Sequence, residues 1–365
     1  MKHITRVILI SLSTIIFVML LIILRLYLIR GYDLRLQTKH NKSLEDYYDD
    51  QYQMVDENTF LNFDVTNNDL NLNEIQYLAS HNSYKKIGPA IGKFFVGLGD
   101  SFDEANALKY GYKNFTDQLE SGIRSFEIDI RYRKDTFELT HVPLVDPSSQ
   151  AVNFELLLDE LMLFSTNQEH HIPIIILVEI KTDWMMLDPS LQDIKTDELK
   201  LLDEILKDKL KDRLFSPSDM VSDQEILRDK IMTEGWPSVS ELLNKFIFIL
   251  HPGTFEQIYY EIDENLQSQS MFIGSSYQEE YPSYASFFVH NDVDINVIKS
   301  LVDDQFMVRT RIDSNLVFSI DRYQDAISSG AQILTTDFSI ARSDLDDIDV
   351  IYLENDKTII QKDET

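Results

Sequence analysis

Histidines and carboxylates occur at the ends of apolar segments or inside them. His81 and Asn82 follow the run IQYLAS, and His141 follows the run FELT. Glu127 and Asp129 are two residues apart within SFEIDI, so both side chains project to the same face of a strand. Charged groups inside apolar strands are costly unless they are paired or bind an ion. These residues are therefore candidates for an active site.

Two further pairs of charged residues have the same spacing. Glu179 and Lys181 end the segment IPIIILVEIK, and Arg309 and Arg311 lie in VRTRID. Three carboxylates that converge on one point repel each other, and a hard divalent cation such as Ca²⁺ would remove that penalty. Asn82 offers another oxygen ligand. Histidines beside such an ion are suited to acid–base catalysis near neutral pH.

Each of these features also has a purely structural explanation. Glu127 and Asp129 could form a polar stripe on an edge strand, or a salt-bridge network with the cationic pairs. The pair His170-His171 resembles a metal-binding pair but is more typical of a loop between a helix and a strand. The catalytic interpretation is favoured because the polar groups follow one another on successive predicted strands.

Eight apolar runs of strand length alternate with helix-length segments between residues 74 and 340. The runs are Ile75–Ser80, Ser125–Ile130, Phe137–Thr140, Ile174–Ile180, Phe246–Leu250, Ser286–His290, Met307–Arg311 and Gln332–Thr335. The segments Phe154–Phe164 and Leu199–Leu210 have the i, i+3, i+4 spacing of helices. This alternation predicts an α/β fold, a TIM-like (β/α)8 barrel that need not be regular. An open doubly wound sheet is the alternative, but no glycine-rich phosphate loop follows the first run.

The N-terminal segment is the most apolar part of the chain. Residues 7–24 are 18 uncharged residues between Arg6 and Arg25, and as a helix they rise about 27 Å, close to the hydrocarbon thickness of a bilayer. We expect residues 1–33 to be an uncleaved single-pass anchor, with secretion after signal cleavage as the alternative. Charges on the two flanks nearly balance, so the positive-inside rule does not fix the orientation.

The overall composition excludes several functions. The 365 residues include 62 Asp and Glu against 33 Lys and Arg, a net charge of −29, and no cysteine. The acidity argues against nucleic acid as a partner, because phosphate binding needs a basic surface. The lack of cysteine excludes disulfides and a thiol nucleophile.

We expect residues 34–73, rich in Asn and Asp, to form a polar stalk and residues 341–365 to form an acidic C-terminal tail. No protein partner can be inferred.

The order of the polar motifs resembles the calcium-dependent phosphoinositide-specific phospholipase C family, and more narrowly its single-barrel microbial branch. The supporting stretches are ASHNSY, QLESGIRSFEIDI, THVPLVD, HHIPIIILVEIK, EGWPSVSELLNKFIFIL, VRTRID and SGAQILTTDF. The resemblance covers residues 74–340. It implies a calcium-dependent enzyme that cleaves phosphatidylinositol-type lipids at a membrane surface to diacylglycerol and an inositol phosphate. A dependence on calcium suggests that the barrel lies outside the cytoplasm, where calcium is abundant.

The resemblance also implies a role for each candidate residue. These roles are catalytic for His81 and His141, calcium-binding for Asn82, Glu127, Asp129 and Glu179, and substrate-binding for Lys181 and Arg311. The general base stays open between Glu127 and Glu179. Two other functions are alternatives: a glycerophosphodiester phosphodiesterase on the same barrel, and a catalytically silent, membrane-tethered lipid-binding module. An insertion at residues 85–110 leaves open which phosphoinositide or glycolipid is the substrate.

Overall fold

The fold is a closed barrel of parallel strands surrounded by helices. A computed structural model describes residues 2–65, 70–88, 92, 96–97, 101–345 and 349–362. Its strands are β1 Ile75–Ser80, β2 Ser125–Arg133, β3 Thr136–Leu139, β4 Ile174–Ile180, β5 Leu214–Phe215, β6 Phe246–Leu250, β7 Phe272–Ser275, β8 Phe287–Val289, β9 Met307–Arg311, β10 Asp313–Ser314, β11 Val317–Phe318, β12 Ile333–Thr336 and β13 Ile359–Gln361. Its α-helices are α1 Lys2–Asp50, α2 Phe102–Ala107, α3 Phe115–Glu120, α4 Phe154–Asn167, α5 Thr196–Leu210, α6 Pro217–Met220, α7 Leu227–Glu234, α8 Thr254–Tyr260, α9 Ile295–Asp303 and α10 Ile320–Ser328.

The strand pairing confirms the predicted TIM-like barrel. Strands β1, β2, β4, β6, β7, β8, β9 and β12 pair in that order, and β12 pairs in parallel with β1 to close the barrel. The apolar run of β4 is typical of a parallel strand that is covered on both faces. Helix α4 begins where the side chain of Asn153 accepts a hydrogen bond from the backbone N–H of Leu156, at 2.9 Å.

The third predicted strand is wrong as a barrel strand. Thr136–Leu139 pairs antiparallel with β2 and forms a hairpin instead. The two residues of the turn, Lys134 and Asp135, both have positive φ angles, 47° and 64°, as a two-residue hairpin turn requires. The sequence lacks the Asn-Gly or Asp-Gly pair that usually marks such a turn.

One barrel strand was absent from the prediction. Strand β7 has four residues, too few to show a clear period, and it contains Gly274. A Cβ atom at this glycine would lie 2.6 Å from the backbone oxygen of Leu250 in the neighbouring strand, so the close approach of the two backbones requires glycine. The predicted total of eight barrel strands is therefore correct only because one predicted strand is not in the barrel and one barrel strand was missed.

The segment expected to be a polar stalk differs from the prediction. Helix α1 continues unbroken to Asp50, and its second half packs on the barrel with Leu44 and Tyr48 buried. The polar residues of this stretch are used in contacts with α4, which a composition rich in Asn and Asp does not reveal. Within the described part of the chain, α1 is also the one helix long and apolar enough to cross a membrane, a property that signal sequences share.

The C-terminal segment is also packed more closely than an acidic tail. Strand β13 pairs antiparallel with β1, and Leu353 and Ile359 are buried. Strand β13 is therefore part of the sheet but not one of the eight strands that close the barrel. Nine of the 26 residues of the insertion at residues 85–110 lie outside the described residues.

Candidate active site

The residues predicted to form a site lie in or after barrel strands, toward the carboxyl ends where TIM barrels carry their chemistry, except that His141 follows the hairpin strand β3. His81 and Asn82 follow β1, Glu127 and Asp129 lie in β2, His141 follows β3, Glu179 and Lys181 lie at the end of β4, and Arg311 ends β9. The histidines and the two cationic side chains are partly exposed, whereas Glu127, Asp129 and Asn82 are buried. The structure therefore brings the predicted residues to one mouth.

His81 is held by a carboxylate from the opposite end of the barrel sequence. Its Nδ1 atom lies 2.6 Å from Oδ1 of Asp337, which follows β12. Burial would raise the pKa of Asp337, but His81 and Arg311 lower it well below its ordinary value. Because an ionised carboxylate can only accept, Nδ1 carries the proton. Nε2 lies 3.3 Å from Nδ2 of Asn82 and is the ring nitrogen on the side away from Asp337.

His141 has the same arrangement. Its Nδ1 atom lies 3.2 Å from Oδ2 of Asp146, and this buried carboxylate also lies 3.0 Å from Nζ of Lys85. Burial would raise the pKa of Asp146, but Lys85 and His141 lower it. The buried guanidinium of Arg131 donates to the backbone oxygen of His141 at 2.7 Å and fixes the loop. Each histidine thus has a buried, charged acceptor behind its ring.

Asn82 is positioned by an unusual backbone conformation. Its φ angle is 50°, in the left-handed region that asparagine tolerates better than most residues. The next residue, Ser83, joins this turn to β2, because its N–H donates to the oxygen of Glu127 at 2.8 Å and its Oγ accepts from Glu127 N–H at 3.0 Å. The Nδ2 atom of Asn82 donates to the hydroxyl of Tyr110 at 3.1 Å, so its amide oxygen is the atom left to act as a ligand.

The buried carboxylate of Glu127 is already paired. It accepts a hydrogen bond from the guanidinium of Arg309, which is fully buried inside the barrel. Burial would raise the pKa of Glu127, but Arg309, with His81 and His251, lowers it to about 2. Arg309 is therefore the buried counter-charge of Glu127.

Asp129 and Glu179 are direct neighbours across β2 and β4, so their side chains share the inner face. Nζ of Lys181 lies 2.6 Å from Oε1 of Glu179 and 3.9 Å from Oδ2 of Asp129. Burial raises the pKa of Asp129 to about 7, with Lys181 opposing the rise and Glu179 adding to it. Its Oδ2 accepts from the hydroxyl of Tyr84 at 3.0 Å, but its buried Oδ1 has no hydrogen-bond partner among the described residues.

The donor atoms at the mouth fit a calcium ion, although their present contacts are with cations of the protein. Calcium takes several oxygen ligands, and the unpartnered Oδ1 of Asp129 is a buried acceptor that an ion would satisfy. Among the described residues, no three His, Asp or Glu side chains are grouped closely enough to hold a metal ion in this conformation. The ammonium of Lys181 has the position between the two carboxylates instead.

Sequence reasoning missed several residues of the site. Asp337 and Asp146 lie in the motifs LTTDF and THVPLVD, but their partners are set by tertiary contacts that the sequence does not show. His251 follows β6 and lines a groove with Glu179 and Lys181. Its place directly after a predicted strand was the signal that could have found it. His171, by contrast, lies in a loop and hydrogen-bonds to Ser165 at 2.6 Å, away from the mouth.

Several solved structures share this fold at low sequence identity. The calcium-dependent phosphoinositol-specific phospholipase C of Pseudomonas sp. is 16% identical, with a TM-score of 0.59 over 84% of this chain and 99% of that one. A complex of the Pseudomonas enzyme with myoinositol has a TM-score of 0.56, with 16% identity over 84% of this chain and 97% of that one. The calcium-dependent enzyme of Streptomyces antibioticus is 15% identical, with a TM-score of 0.55 over 73% of this chain and 94% of that one. No curated protein sequence matches the chain.

The family to which the chain belongs follows from its sequence. The sequence model of the family described as calcium-dependent phosphoinositide phospholipase C matches residues 70–137 and 131–359. These two ranges together make up well over half of the chain. The structural similarities, at low identity, show that the fold is shared. The protein is therefore a member of the calcium-dependent phosphoinositide phospholipase C family, whose enzymes are phosphodiesterases.

Proposed function

We propose that His81 and His141 carry out the acid–base chemistry of phosphoinositide cleavage at the barrel mouth. The 2-hydroxyl of the inositol attacks phosphorus, a new P–O bond forms, and the bond from phosphorus to the glycerol oxygen breaks. His141 gives a proton to the departing glycerol oxygen, and diacylglycerol leaves. His81 donates a hydrogen bond to a phosphoryl oxygen as its charge grows. The observation that carries this proposal is the buried carboxylate behind each ring, Asp337 and Asp146.

The residues that would hold calcium are Asn82, Glu127, Asp129 and Glu179. Three of them are carboxylates on neighbouring strands, and Asp129 has a buried oxygen that no described residue satisfies. Calcium, when bound, supplies positive charge that lowers the pKa of the attacking hydroxyl and stabilises charge on the phosphate. The contact of Lys181 with Glu179 must loosen for this, and its partial exposure gives the ammonium room to move.

Lys181 and Arg311 are proposed as contacts for substrate phosphate or inositol groups. Arg311 donates to Oδ2 of Asp337 at 2.9 Å and lies beside His81, so a phosphate held there would be next to the catalytic ring. The proton of the attacking hydroxyl needs a base. The ion pair of Glu127 with Arg309 disfavours that residue, so we assign the role to the more exposed Glu179.

The localisation proposed is a membrane, with the N-terminal part of α1 as a single-pass anchor and the barrel outside the cytoplasm. Support comes from the apolar run of residues 7–24, whose side chains are exposed along the helix. A soluble cleaved form is the alternative, and protease protection on intact cells would distinguish the two.

Release of the headgroup from several lipids, with and without a calcium chelator, tests the function. We expect turnover of phosphatidylinositol or a related inositol lipid, with loss of activity when calcium is removed. Activity confined to free glycerophosphoinositol would indicate a glycerophosphodiester phosphodiesterase instead. Binding of lipid without turnover would indicate a silent lipid-binding module.

A further inference from the structure

Helix α1 runs parallel to α4 along the outside of the barrel. Gln37 donates to the backbone oxygen of Asn153 at 2.9 Å, and Tyr52 donates to the side chain of Gln168 at 2.7 Å. Both contacts join residues 116 positions apart, so the two helices keep one register over this length. Helix α4 descends from the carboxyl ends of the strands to the start of β4. Helix α1 therefore descends in the same direction, and its N-terminus points toward the catalytic end.

The next contacts toward the N-terminus are with loops at the catalytic end. Asp33 accepts from Lys86, in the loop after β1, at 2.9 Å. Arg30 donates to Glu138, in the hairpin of β2 and β3, with Nε and Oε2 at 2.8 Å. Glu138 and Asp33 are both buried. These two ion pairs show that residues 30–33 of α1 lie beside the mouth of the barrel.

Beyond Arg30 the helix continues without a break into the apolar run. From Arg30 to Leu24 there are six residues, a rise of about 9 Å. The most apolar 18-residue window has a mean hydropathy of 3.2 and is not buried against the protein. Tyr27 and Tyr32 are exposed near the end of this run, a position where aromatic residues are common at membrane interfaces.

The loops around the mouth expose apolar side chains on the same end of the barrel. These side chains are Ile87 after β1, Trp184 and Met186 after β4, Tyr277 after β7, and Val317, Phe318 and Ile320 after β9. Trp184 is held in a left-handed conformation, with φ at 55°. The buried Arg131 donates to the backbone oxygen of the preceding Asp183 at 2.6 Å and fixes this loop. Exposed aromatic and aliphatic groups that are held in place suit contact with a lipid surface.

We infer that α1 holds the catalytic mouth against the same bilayer in which the N-terminal segment is inserted. The partner is the lipid surface of the protein's own membrane, and the substrate is reached in that membrane rather than in a facing one. This inference rests on the anchor in the proposed function. It depends on the direction of α1 and on the short, continuous helix between the apolar run and the barrel.

Single-cysteine labels test the orientation directly, because the chain has no cysteine of its own. The full-length protein would be placed in phosphatidylcholine vesicles that contain a nitroxide-labelled lipid, with a fluorophore at one site per variant. The variants are M186C and V317C on the mouth loops, with M54C and M232C as controls, because these last two exposed methionines lie near the amino ends of the strands.

We expect the lipid nitroxide to quench labels at positions 186 and 317 and to leave labels at 54 and 232 bright. Equal quenching at both ends, stronger quenching at 54 and 232, or no quenching in protein that floats with the vesicles would overturn the inference. Failure to float with the vesicles would overturn it as well, by removing the anchor. The measurement uses no turnover, so a catalytically silent protein with this orientation would contradict the proposed function and still support the inference.

Discussion

His81 and Asp337 lie 256 positions apart in the sequence, yet Nδ1 of the histidine and Oδ1 of the aspartate are 2.6 Å apart. The contact joins the first and last strands of the barrel at the seam where it closes. His141 and Asp146 repeat the arrangement through a short loop. Each carboxylate fixes the tautomer and the orientation of its histidine ring.

Replacing Asp337 by Asn should lower kcat by on the order of 10², because the amide no longer fixes the tautomer and orientation of the His81 ring. KM for the lipid should change less, because the substitution affects the cleavage step through His81 and not the binding of the lipid. Asp229→Asn is the matched control, because Asp229 pairs with Arg228 on helix α7 and has no contact with His81 or Asp337 among the described residues. Equal kinetics for both variants would show that Asp337 has no role in positioning His81.

His141→Ala should cost about 10²–10⁴ in rate with a natural lipid, because the glycerol oxygen is a poor leaving group without a proton donor. An inositol phosphodiester with a nitrophenol leaving group should recover much of this loss. The same substrate should not rescue His81→Ala, whose proposed contact is with a non-bridging oxygen. Steady-state rates with both substrates measure this. Rescue of both variants, or of neither, would mean that the roles are assigned wrongly.

Arg309→Met should destabilise the protein by about 3–5 kcal/mol, because it leaves the buried Glu127 without a counter-charge. The double variant with Glu127→Gln should recover part of this loss, since no buried charge remains. Arg228→Met is the control, as its ion pair with Asp229 is exposed and worth at most about 1 kcal/mol. Urea unfolding gives all three values. A single variant as stable as the control would exclude a structural role for the pair.

Removal of residues 2–26 should give a soluble protein with intact stability, since the contacts of α1 with the barrel begin near Arg30. Removal of residues 2–52 should destabilise it by roughly 3–6 kcal/mol, because Leu44 and Tyr48 lose their burial. Melting temperatures of the two proteins test the difference. Equal values would mean that the second half of α1 contributes nothing to the fold, as a stalk would.

The sequence predicts those elements whose pattern is local. Strands β1, β4, β6 and β9 have the predicted bounds, and the apolar pattern is clearest in β4 and β6. The hairpin strand Thr136–Leu139 looks the same locally, and only its pairing direction distinguishes it from a barrel strand. Strand β7 is too short for its pattern to be recognised. The local sequence pattern therefore identifies the barrel fold, but it does not show for every apolar run whether that run is a strand of the barrel.

The site is predictable to a similar extent. The types and order of His81, Glu127 and Asp129 along the strands placed them at one mouth, as the structure does. The partners that set their charge, such as Arg309 for Glu127, depend on which inward side chains meet across the barrel. The packing of α1 was not predicted, because polar residues in contact with another helix cannot be told from solvated ones by composition.

The free energy of unfolding of the calcium-free protein should depend on pH through Asp129, one of the proposed calcium ligands. Burial raises the pKa of its carboxyl from 3.8 to about 7, so the folded state holds this proton more tightly than the unfolded state does. The calcium-free protein should therefore lose stability from this group as the pH rises from about 4 to about 7, with the full penalty above that range. Asp129→Asn removes the charge, so the variant should gain relative to the wild type at pH 8 but not at pH 4. The alternative, a closed salt-bridge network with Lys181, requires Asp129→Asn to destabilise the protein at pH 8.

The most direct measurement for the proposed calcium site is a calorimetric titration of Ca²⁺ into the wild type and Asp129→Asn at pH 8, with lipid headgroup release followed on the same samples. Asp183→Asn is the control, because this nearby aspartate is half exposed and pairs with Arg131. We predict that the wild type and the control bind calcium and need it for turnover, and that Asp129→Asn binds it far more weakly and turns over little lipid. Unchanged calcium affinity in Asp129→Asn, or wild-type turnover that persists in a chelator, would contradict the assignment of the site.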